Sequence, residues 1–329
     1  MTALLQNVRR SVRRYNLLPE GSRVLIGLSG GSDSVALTVL LQELSRHGGF
    51  QVAAVAHLNH QIRPAAADDE AFCRVFAARR GLPILIESVD VPGVARASRL
   101  SLEDAGRRAR YDFLRRAADH FQATVIAVGH TRDDQAETVL LKLARGAGLA
   151  GLGAIYPRRD EVIRPLIDVG RAGLQLFLRE RGESWVDDET NADLANPRNH
   201  VRHCVLPALE AAYGGGVRGA LARVATLARD DNEWLDQVAN DRYSELCVHA
   251  GPALEIDGPA LIAQPAAIRR RVLLRALRSQ AGGREIGFDH IETALEVAVG
   301  QLAAADLPGA RLELRGRKLV LIQQDAGSK

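Results

Sequence analysis

Cysteine is scarce. Cys73, Cys204 and Cys247 are the three in 329 residues, far apart and without a C-x-x-C pair. That spacing argues against a disulfide framework, a zinc knuckle or an iron–sulfur site. Aromatic residues make up only 4%. Ala, Leu, Val and Arg dominate instead, which suits helices around a buried parallel sheet. No apolar run approaches the roughly 20 residues that a membrane-spanning helix needs. The start, MTALLQNVRRSVRRYNLLPEGSRV, lacks a long apolar segment between its charges and reads as an amphipathic helix, not a signal peptide. A cytoplasmic protein with no membrane segment is expected. No internal repeat or low-complexity tract is evident. What is present is a hydrophobic share of 47%, enough for a sizeable core in one large domain or two. The net charge of +3 is a mild basic bias, compatible with nucleic acid but no proof of it.

Up to residue 150 strand-like and helix-like stretches alternate. Residues 23–28 (RVLIGL), 50–60 (FQVAAVAHLNH), 82–90 (LPILIESVD) and 123–130 (ATVIAVGH) read as strands. Residues 34–47, 67–80, 101–119 and 133–145 read as helices. The alternation predicts an α/β fold: a parallel, five-stranded-like sheet with helices on both faces. Ligands of such sheets sit beyond the carboxyl ends of the strands. Ser29, His57 and His130 all fall at those ends, so they converge on a candidate site. After residue 150, GAIYPRRDEVIRPLIDV reads as a turn or hairpin followed by a loop. Residues 183–209, rich in Asn, Asp and Arg, read as an ordered functional loop. Tyr213-Gly214-Gly215-Gly216 breaks the chain, and a long helix is expected over 217–248. A small α+β unit follows, with helices at 265–280 and 288–300 and a strand pair in ARLELRGRKLVLIQ. The expected division is 1–215, a helical linker at 216–250, and 251–329.

LIGLSGGSDSVAL (25–37) places a small Gly-rich turn between a strand and a helix. Such a turn offers backbone N–H groups and a helix dipole to an anion. It lacks the lysine of G-x-x-x-x-G-K-S/T and does not match G-x-G-x-x-G. It carries Asp33 instead. A carboxylate beside a phosphate cradle is repulsive unless Mg²⁺ lies between them. Taken alone, these residues also spell a plain turn with a helix N-cap.

SGGSDS (29–34) resembles the PP-loop of the N-type ATP pyrophosphatases. That resemblance implies an adenine nucleotide alpha hydrolase-like fold and ATP, held by its β,γ-pyrophosphate and cleaved between the α and β phosphates. HLNHQIR (57–63), GRRARYDFL (106–114) and GHTRDDQAETVLLKLARGAGLAGLGAI (129–155) resemble motifs of the tRNA(Ile)-lysidine synthetase family. IRPLI (163–167), WVDDETN (185–191) and PRNHVRHCVLPAL (197–209) continue that resemblance in order. It is strong over 20–210 and weaker over 217–329, where it implies a small tRNA-binding domain, as in the short form of the family. The implied reaction joins free lysine to C2 of the wobble cytidine of tRNA(Ile) with a CAU anticodon. It passes through an adenylylated cytidine and releases AMP and pyrophosphate. A homodimer is also implied. The alternatives are a tRNA 2-thiolation enzyme, disfavoured by the missing cysteine pattern, an amidating synthetase, and a non-catalytic ATP-binding module. Each cysteine reads as packing.

The resemblance assigns Ser29, Gly30, Gly31, Ser32 and Ser34 to the phosphate cradle and Asp33 to Mg²⁺. His57, with His60 and Arg63, forms a nucleotide-facing edge. Asp33, His130, Asp134 and Arg110 form the implied catalytic set, His130 and Asp134 holding the adenylate and the incoming lysine. Asp133 is the adjacent competitor of Asp134. Glu137 either orients its helix or binds the lysine amine. Arg107 and Arg110 hold phosphate or the adenylylated base, or make an exposed basic face. Arg198 and Arg202 serve tRNA or the lysine carboxylate. The arginines at 269, 270, 271, 275 and 278 make a basic helix, either a solvated face or a tRNA backbone contact.

Overall fold

The computed structural model describes residues 2–61, 66–187 and 193–324, in two units divided between Arg229 and Asp230. In the first unit the strands are β1 (Arg23–Gly27), β2 (Gln51–Asn59), β3 (Ile84–Ser88), β4 (Val125–Ala127), β5 (Arg158–Arg159) and β6 (Val162–Ile163). They form one sheet in the order β3-β2-β1-β4-β6-β5. The first five in that order run parallel, and β5 adds an antiparallel edge. The expected parallel body is therefore present, and the hairpin after residue 150 supplies its last strand.

The helices of this unit are α1 (Ala3–Arg14), α2 (Ser32–Ser45), α3 (Ala66–Arg79), α4 (Val91–Ser98), α5 (Leu102–His120), α6 (Arg132–Ala144), α7 (Leu149–Leu152), α8 (Arg171–Glu180), α9 (Pro197–His200) and α10 (Leu206–Tyr213). They cover both faces of the sheet, which is why β1 reads as an unbroken apolar run. Val24 and Ile26 pack in one core cluster with Leu5 and Val8 of α1, Leu37 and Leu40 of α2, and Leu174 of α8. Leu25 points the other way, onto Phe113, Leu114 and Ala117 of α5. After β1 the chain builds outward through β2 and β3, then returns to place β4 on the opposite side of β1. The crevice at that reversal, beyond the carboxyl ends of β1 and β4, is where open α/β sheets bind ligands.

Two stretches differ from expectation. Residues from Pro197 onward are helical, not a loop: α9 passes through a π-helical turn (Val201–Val205) into α10. Asn196 caps the start by accepting from the Arg198 N–H at 2.8 Å, and Pro197 occupies the first turn. A π turn rotates the apolar face, so the 3.6-residue period disappears from the sequence. Helix α4 was also unexpected, since VPGVARAS carries a proline and a glycine. Its proline lies in the first turn, where no N–H is lost, and Asp90 accepts from the Gly93 N–H at 2.9 Å.

Helix α11 (Val217–Leu246) ends where β7 (Cys247–Ala250) begins, slightly earlier than expected. The second unit adds β8 (Ala253–Asp257), β9 (Ala304–Leu307), β10 (Ala310–Arg315) and β11 (Lys318–Gln323) in the antiparallel order β7-β8-β11-β10-β9. Helices α12 (Gly258–Ile262), α13 (Ala266–Gln280) and α14 (Phe288–Ala298) complete it. Val272, Leu273 and Leu277 of α13 and Ile291 of α14 share its core with Leu254, Leu312, Leu319 and Leu321 of the sheet. Among the described residues no helix is long and apolar enough to cross a membrane.

Candidate functional site

The turn between β1 and α2 is held by its own serines. Ser34 Oγ donates to the Gly31 carbonyl at 3.0 Å, and the Ser29 N–H donates to Ser34 Oγ at 3.1 Å. Gly30 has φ +88°, a conformation side chains rarely adopt. Gly31 caps α2 without a side-chain hydrogen bond, so no side chain competes for the first N–H groups of the helix. Those donors and the helix dipole form an anion cradle. The turn after β4 presses against it. A Cβ on Gly129 would lie 3.1 Å from the Asp33 carbonyl carbon and 3.2 Å from Ser34 N. Glycine is what lets the two strand ends meet across the crevice.

Beside the cradle lies a cluster of carboxylates and arginines. Asp33 Oδ2 accepts from Arg171 Nε at 2.9 Å, and Asp134 Oδ1 accepts from Arg171 Nη2 at 3.1 Å. Glu137, fully buried, lies 3.7 Å from Arg171 Nη1. It also accepts from Arg198 Nε at 2.9 Å and from Arg202 Nε and Nη2 at 2.7 and 2.9 Å. Three carboxylates thus converge on one guanidinium, Arg171. Asp134 is fixed from behind by a capping box with Thr131, whose N–H and hydroxyl donate to Oδ2 at 2.7 and 2.8 Å. Burial works against the charge of Asp134, but Arg171 and Arg198, with the Thr131 N–H that donates to it, hold its carboxyl below the usual range. Burial has the upper hand at Asp33, whose carboxyl is raised despite Arg171. Among the described residues Asp33 Oδ1 meets only the Ser32 hydroxyl, at 3.3 Å. One such carboxylate suits Mg²⁺ bound beside phosphate. Among the described residues no group of three or more His, Cys, Asp or Glu forms a metal cage.

His130, at the other side of the crevice, is backed by Arg164. Arg164 Nε donates to His130 Nδ1 at 3.2 Å, its Nη1 to the Tyr156 carbonyl at 2.8 Å, and its Nη2 to the Tyr111 hydroxyl at 3.4 Å. Burial and nearby arginines push the His130 pKa down to about 3, against the pull of Asp134. His57 lies under the cradle. Its Nδ1 is 2.9 Å from the Leu28 carbonyl and 3.3 Å from Cys73 Sγ, while its buried Nε2 has no partner among the described residues. Cys73 is buried, and that burial pushes its thiol up to about 12. His60 meets Arg110 at 3.4 Å, and burial with that cation lowers its pKa to about 4. Arg107 lies over the Tyr111 ring, 5.0 Å from its centroid.

Of the residues singled out in the sequence, Asp33, Asp134, Glu137, Arg198 and Arg202 come together around Arg171, next to the cradle of Ser29, Gly30, Gly31, Ser32 and Ser34. His130 joins them from the β4 side. His57 supports the cradle from beneath. Arg107 and Arg110 lie on α5 beside Tyr111 and His60, and Arg110 is near enough to act on His130. Arg63 lies outside the described residues. Asp133 turns away, accepting from the Arg171 N–H at 2.8 Å and from Arg218 Nη1 at 3.1 Å. On α13, Arg270 pairs with Glu292, Arg271 with Asp236, and Arg275 with Asn240, so three of the basic residues there are engaged within their own unit. Sequence reasoning missed Arg164 and Arg171. Arg164 stood inside the quoted IRPLI. Arg171 follows a glycine at a helix start, and nothing local marks it.

Residues 4–209 match the PP-loop domain family. The chain is 37% identical over 325 residues to a tRNA(Ile)-lysidine synthase of Geobacter sulfurreducens, covering 97% of this chain and 67% of the relative. It is 41% identical over 271 residues to the tRNA(Ile)-lysidine synthase of Thermus thermophilus, covering 80% of this chain and 50% of the relative. It therefore spans between half and about two thirds of these relatives' length. Among solved structures, a U34-tRNA thiolase from Methanococcus maripaludis with its 4Fe-4S cluster shares the fold. Its TM-score is 0.57 at 20% identity, over 69% of this chain and 79% of that one. Motif order, crevice geometry and these matches agree: the chain belongs to the tRNA(Ile)-lysidine synthase family of PP-loop proteins.

Proposed function

We propose that this chain ligates free lysine to the wobble cytidine of tRNA(Ile) with a CAU anticodon at the expense of ATP. The observation that carries the proposal is the pairing of an anion cradle with a cation site across one crevice. The cradle of Ser29, Gly30, Gly31, Ser32 and Ser34 binds the pyrophosphate end of ATP. Asp33 holds Mg²⁺ there, which offsets phosphate charge when bound. His57 and the β2 end support the nucleotide.

In the first step the cytidine O2 attacks the α-phosphorus, the bond to the β-phosphate oxygen breaks, and pyrophosphate leaves. His130 and Arg110 bind the anionic oxygens of the adenylylated base, with Arg107 beside them. In the second step the bound lysine ε-ammonium first gives a proton to solvent, the resulting amine attacks C2, the C2–O2 bond breaks with AMP leaving, and the nitrogen gives up a second proton. Asp134 and Glu137 bind the lysine ammonium at the position now taken by the Arg171 guanidinium. Arg198 and Arg202 bind the lysine carboxylate. A guanidinium is a fair stand-in for an ammonium, because both offer only donors. Arg63 is assigned to the tRNA side of the site. A homodimer is part of the same reading.

The test is incorporation of radiolabelled lysine into an unmodified tRNA(Ile) transcript with a CAU anticodon, in the presence of ATP and Mg²⁺. Acid-stable label with the unaltered chain, and none with a Ser32→Ala, Asp33→Ala variant, is the expected result. Pyrophosphate release without lysine incorporation would redirect the reading to another nucleophile.

A further inference from the structure

Arg164 is a buried cation with no carboxylate partner among the described residues. It is 4% exposed, and its side chain donates to neutral groups: His130 Nδ1, the Tyr156 carbonyl and the Tyr111 hydroxyl. Burying a charge among neutral partners is unfavourable, so stability alone does not account for it. An arginine side chain has donors and no acceptor and stays charged. The ring nitrogen it touches must therefore accept. His130 Nδ1 carries the lone pair, and the single imidazole proton is on Nε2.

We infer that Arg164 is a positioning residue that fixes His130 as its Nε2–H form, so that the imidazole offers one oriented donor, backed by a positive charge, to an anionic oxygen at the nucleotide α-phosphate. The identity of that anion rests on the function proposed above; the ring form does not. The arrangement also removes Nδ1 from proton transfer. The lowered pKa of His130 agrees with a ring that stays neutral and donates. Tyr111 extends the support outward, its hydroxyl accepting from Arg164 and its ring lying under Arg107.

Two-bond proton–nitrogen NMR on protein labelled at histidine nitrogen reads the ring form directly, with His130→Ala supplying the assignment. The unaltered chain should show Nε2–H. An Nδ1–H form would overturn the inference, whatever the variants do. Arg164→Met should mix the two forms and lower kcat for tRNA-dependent pyrophosphate release about 10- to 100-fold, less than outright loss of an oriented donor. Arg164→Lys, which keeps a charge and a donor, should recover part of the rate. In a His130→Ala background Arg164→Met should add little. An equal loss with and without His130 would show that Arg164 does not act through it. If the unaltered chain releases no pyrophosphate with tRNA, the functional reading fails while the ring form stands or falls by NMR.

A second, independent observation concerns α1. Arg9, Arg10, Arg13 and Arg14 line a surface groove of about 450 Å³ with Gln6. None of the four has a carboxylate partner among the described residues. Like charges at i,i+4, as in Arg9–Arg13 and Arg10–Arg14, weaken a helix. The opposite face of α1 is spent: Leu5 and Val8 are in the core, with Leu4, Val12 and Tyr15 packed on it. The helix therefore has no apolar face left for a lipid surface. It is fastened to the site segment through Asp168, which accepts from Ser11 at 2.8 Å and Tyr15 at 3.3 Å, three residues before Arg171. Exposed Arg158 reaches the Asn16 carbonyl at 3.2 Å and extends the basic surface onto β5.

We propose that this face binds the phosphate backbone of the substrate RNA. The contrast is α13, whose arginines looked as suitable in sequence but are largely paired within their unit. Replacing Arg9, Arg10, Arg13 and Arg14 by glutamine keeps helix propensity. It should raise the tRNA KM about tenfold and leave kcat and the ATP KM unchanged. The salt dependence of kcat/KM should flatten by about 0.7–0.9 in log–log slope for each phosphate that is no longer neutralised. An unchanged slope and KM in the folded variant would refute the proposal. So would binding to phosphatidylserine vesicles that the variant loses while tRNA binding persists. Retained direct tRNA binding through this face, without lysine transfer, would fault the proposed function alone.

Discussion

Removing the charge of Glu137 is the sharpest test of the carboxylate–arginine cluster. Glu137 is fully buried, while Arg171, Arg198 and Arg202 keep 22%, 29% and 19% of their side chains exposed. Its two oxygens accept three hydrogen bonds of 2.7–2.9 Å from Arg198 and Arg202. Glu137→Gln keeps the shape but replaces one acceptor oxygen by an NH₂ that faces a guanidinium donor. It also leaves three arginines facing Asp134, with Asp33 sharing only Arg171 among them. Breaking a buried ion pair from one side costs about 3–5 kcal/mol. Partial exposure of the arginines lets water recover some of this, so a loss of about 2–4 kcal/mol is expected. Urea unfolding can be followed on Trp185, which lies in the first unit, after Trp234→Phe removes the other tryptophan. The double variant Glu137→Gln, Arg202→Gln should be less unstable than the sum of its parts, because the uncompensated cation goes with the anion. A Glu137→Gln loss under about 1 kcal/mol, or strict additivity with Arg202→Gln, would refute this account of the cluster. In turnover assays the same variant should raise the lysine KM far more than the ATP KM.

The lowered pKa of His130 sets a pH dependence. Below about pH 6.5 the unfolded chain takes up a proton that native His130 refuses, so stability falls with pH until about pH 3. Relative to His130→Asn, the unaltered chain should lose about 1.4 kcal/mol more per pH unit across the middle of that window, measured by urea unfolding at several pH values. Asp33 runs the opposite way: its raised carboxyl makes the ionised form costly when folded, so stability is lost as pH rises through its folded pKa. Asp33→Asn should therefore be more stable than the unaltered chain at neutral pH, with the gain vanishing below the usual carboxylate range, and should bind Mg-ATP more weakly by calorimetry. Gly129→Ala should push the β4 turn off the cradle, costing about 1–3 kcal/mol and weakening ATP binding, because the added carbon meets backbone at 3.1–3.2 Å. Unchanged nucleotide affinity in that variant would mean that the close approach is incidental.

Most of the fold was legible because its signals are local. Val24, Leu25 and Ile26 spell a strand buried on both faces, and the glycines at 30 and 31 mark where it must turn. The candidate-site residues were legible where a motif marks the turn after a strand or the first turn of the helix behind it, as at His130, Asp33 and Asp134, which the structure brings to one crevice. The 197–213 helix was not, because its π turn breaks the period by which helices are read. Yet that turn belongs to the segment that brings Arg198 and Arg202, four residues apart, onto the same carboxylate.

Arg164 and Arg171 show the other limit. Both are ordinary arginines in sequence, in a chain rich in them. Their meaning comes from what surrounds them after folding, and the two surroundings are opposites. Arg171 is ringed by carboxylates from α2 and α6, which its charge neutralises, and on the proposed function the lysine ammonium takes its place. Arg164 has no carboxylate partner among the described residues, so it leaves a positive charge behind the neutral ring of His130. One half of the crevice is thus prepared to receive positive charge and the other half negative charge. A ligase that must hold an amine nucleophile and a phosphate leaving group at one carbon needs that separation. A simple nucleotide-binding module, which has only an anion to hold, would have no use for the acidic half.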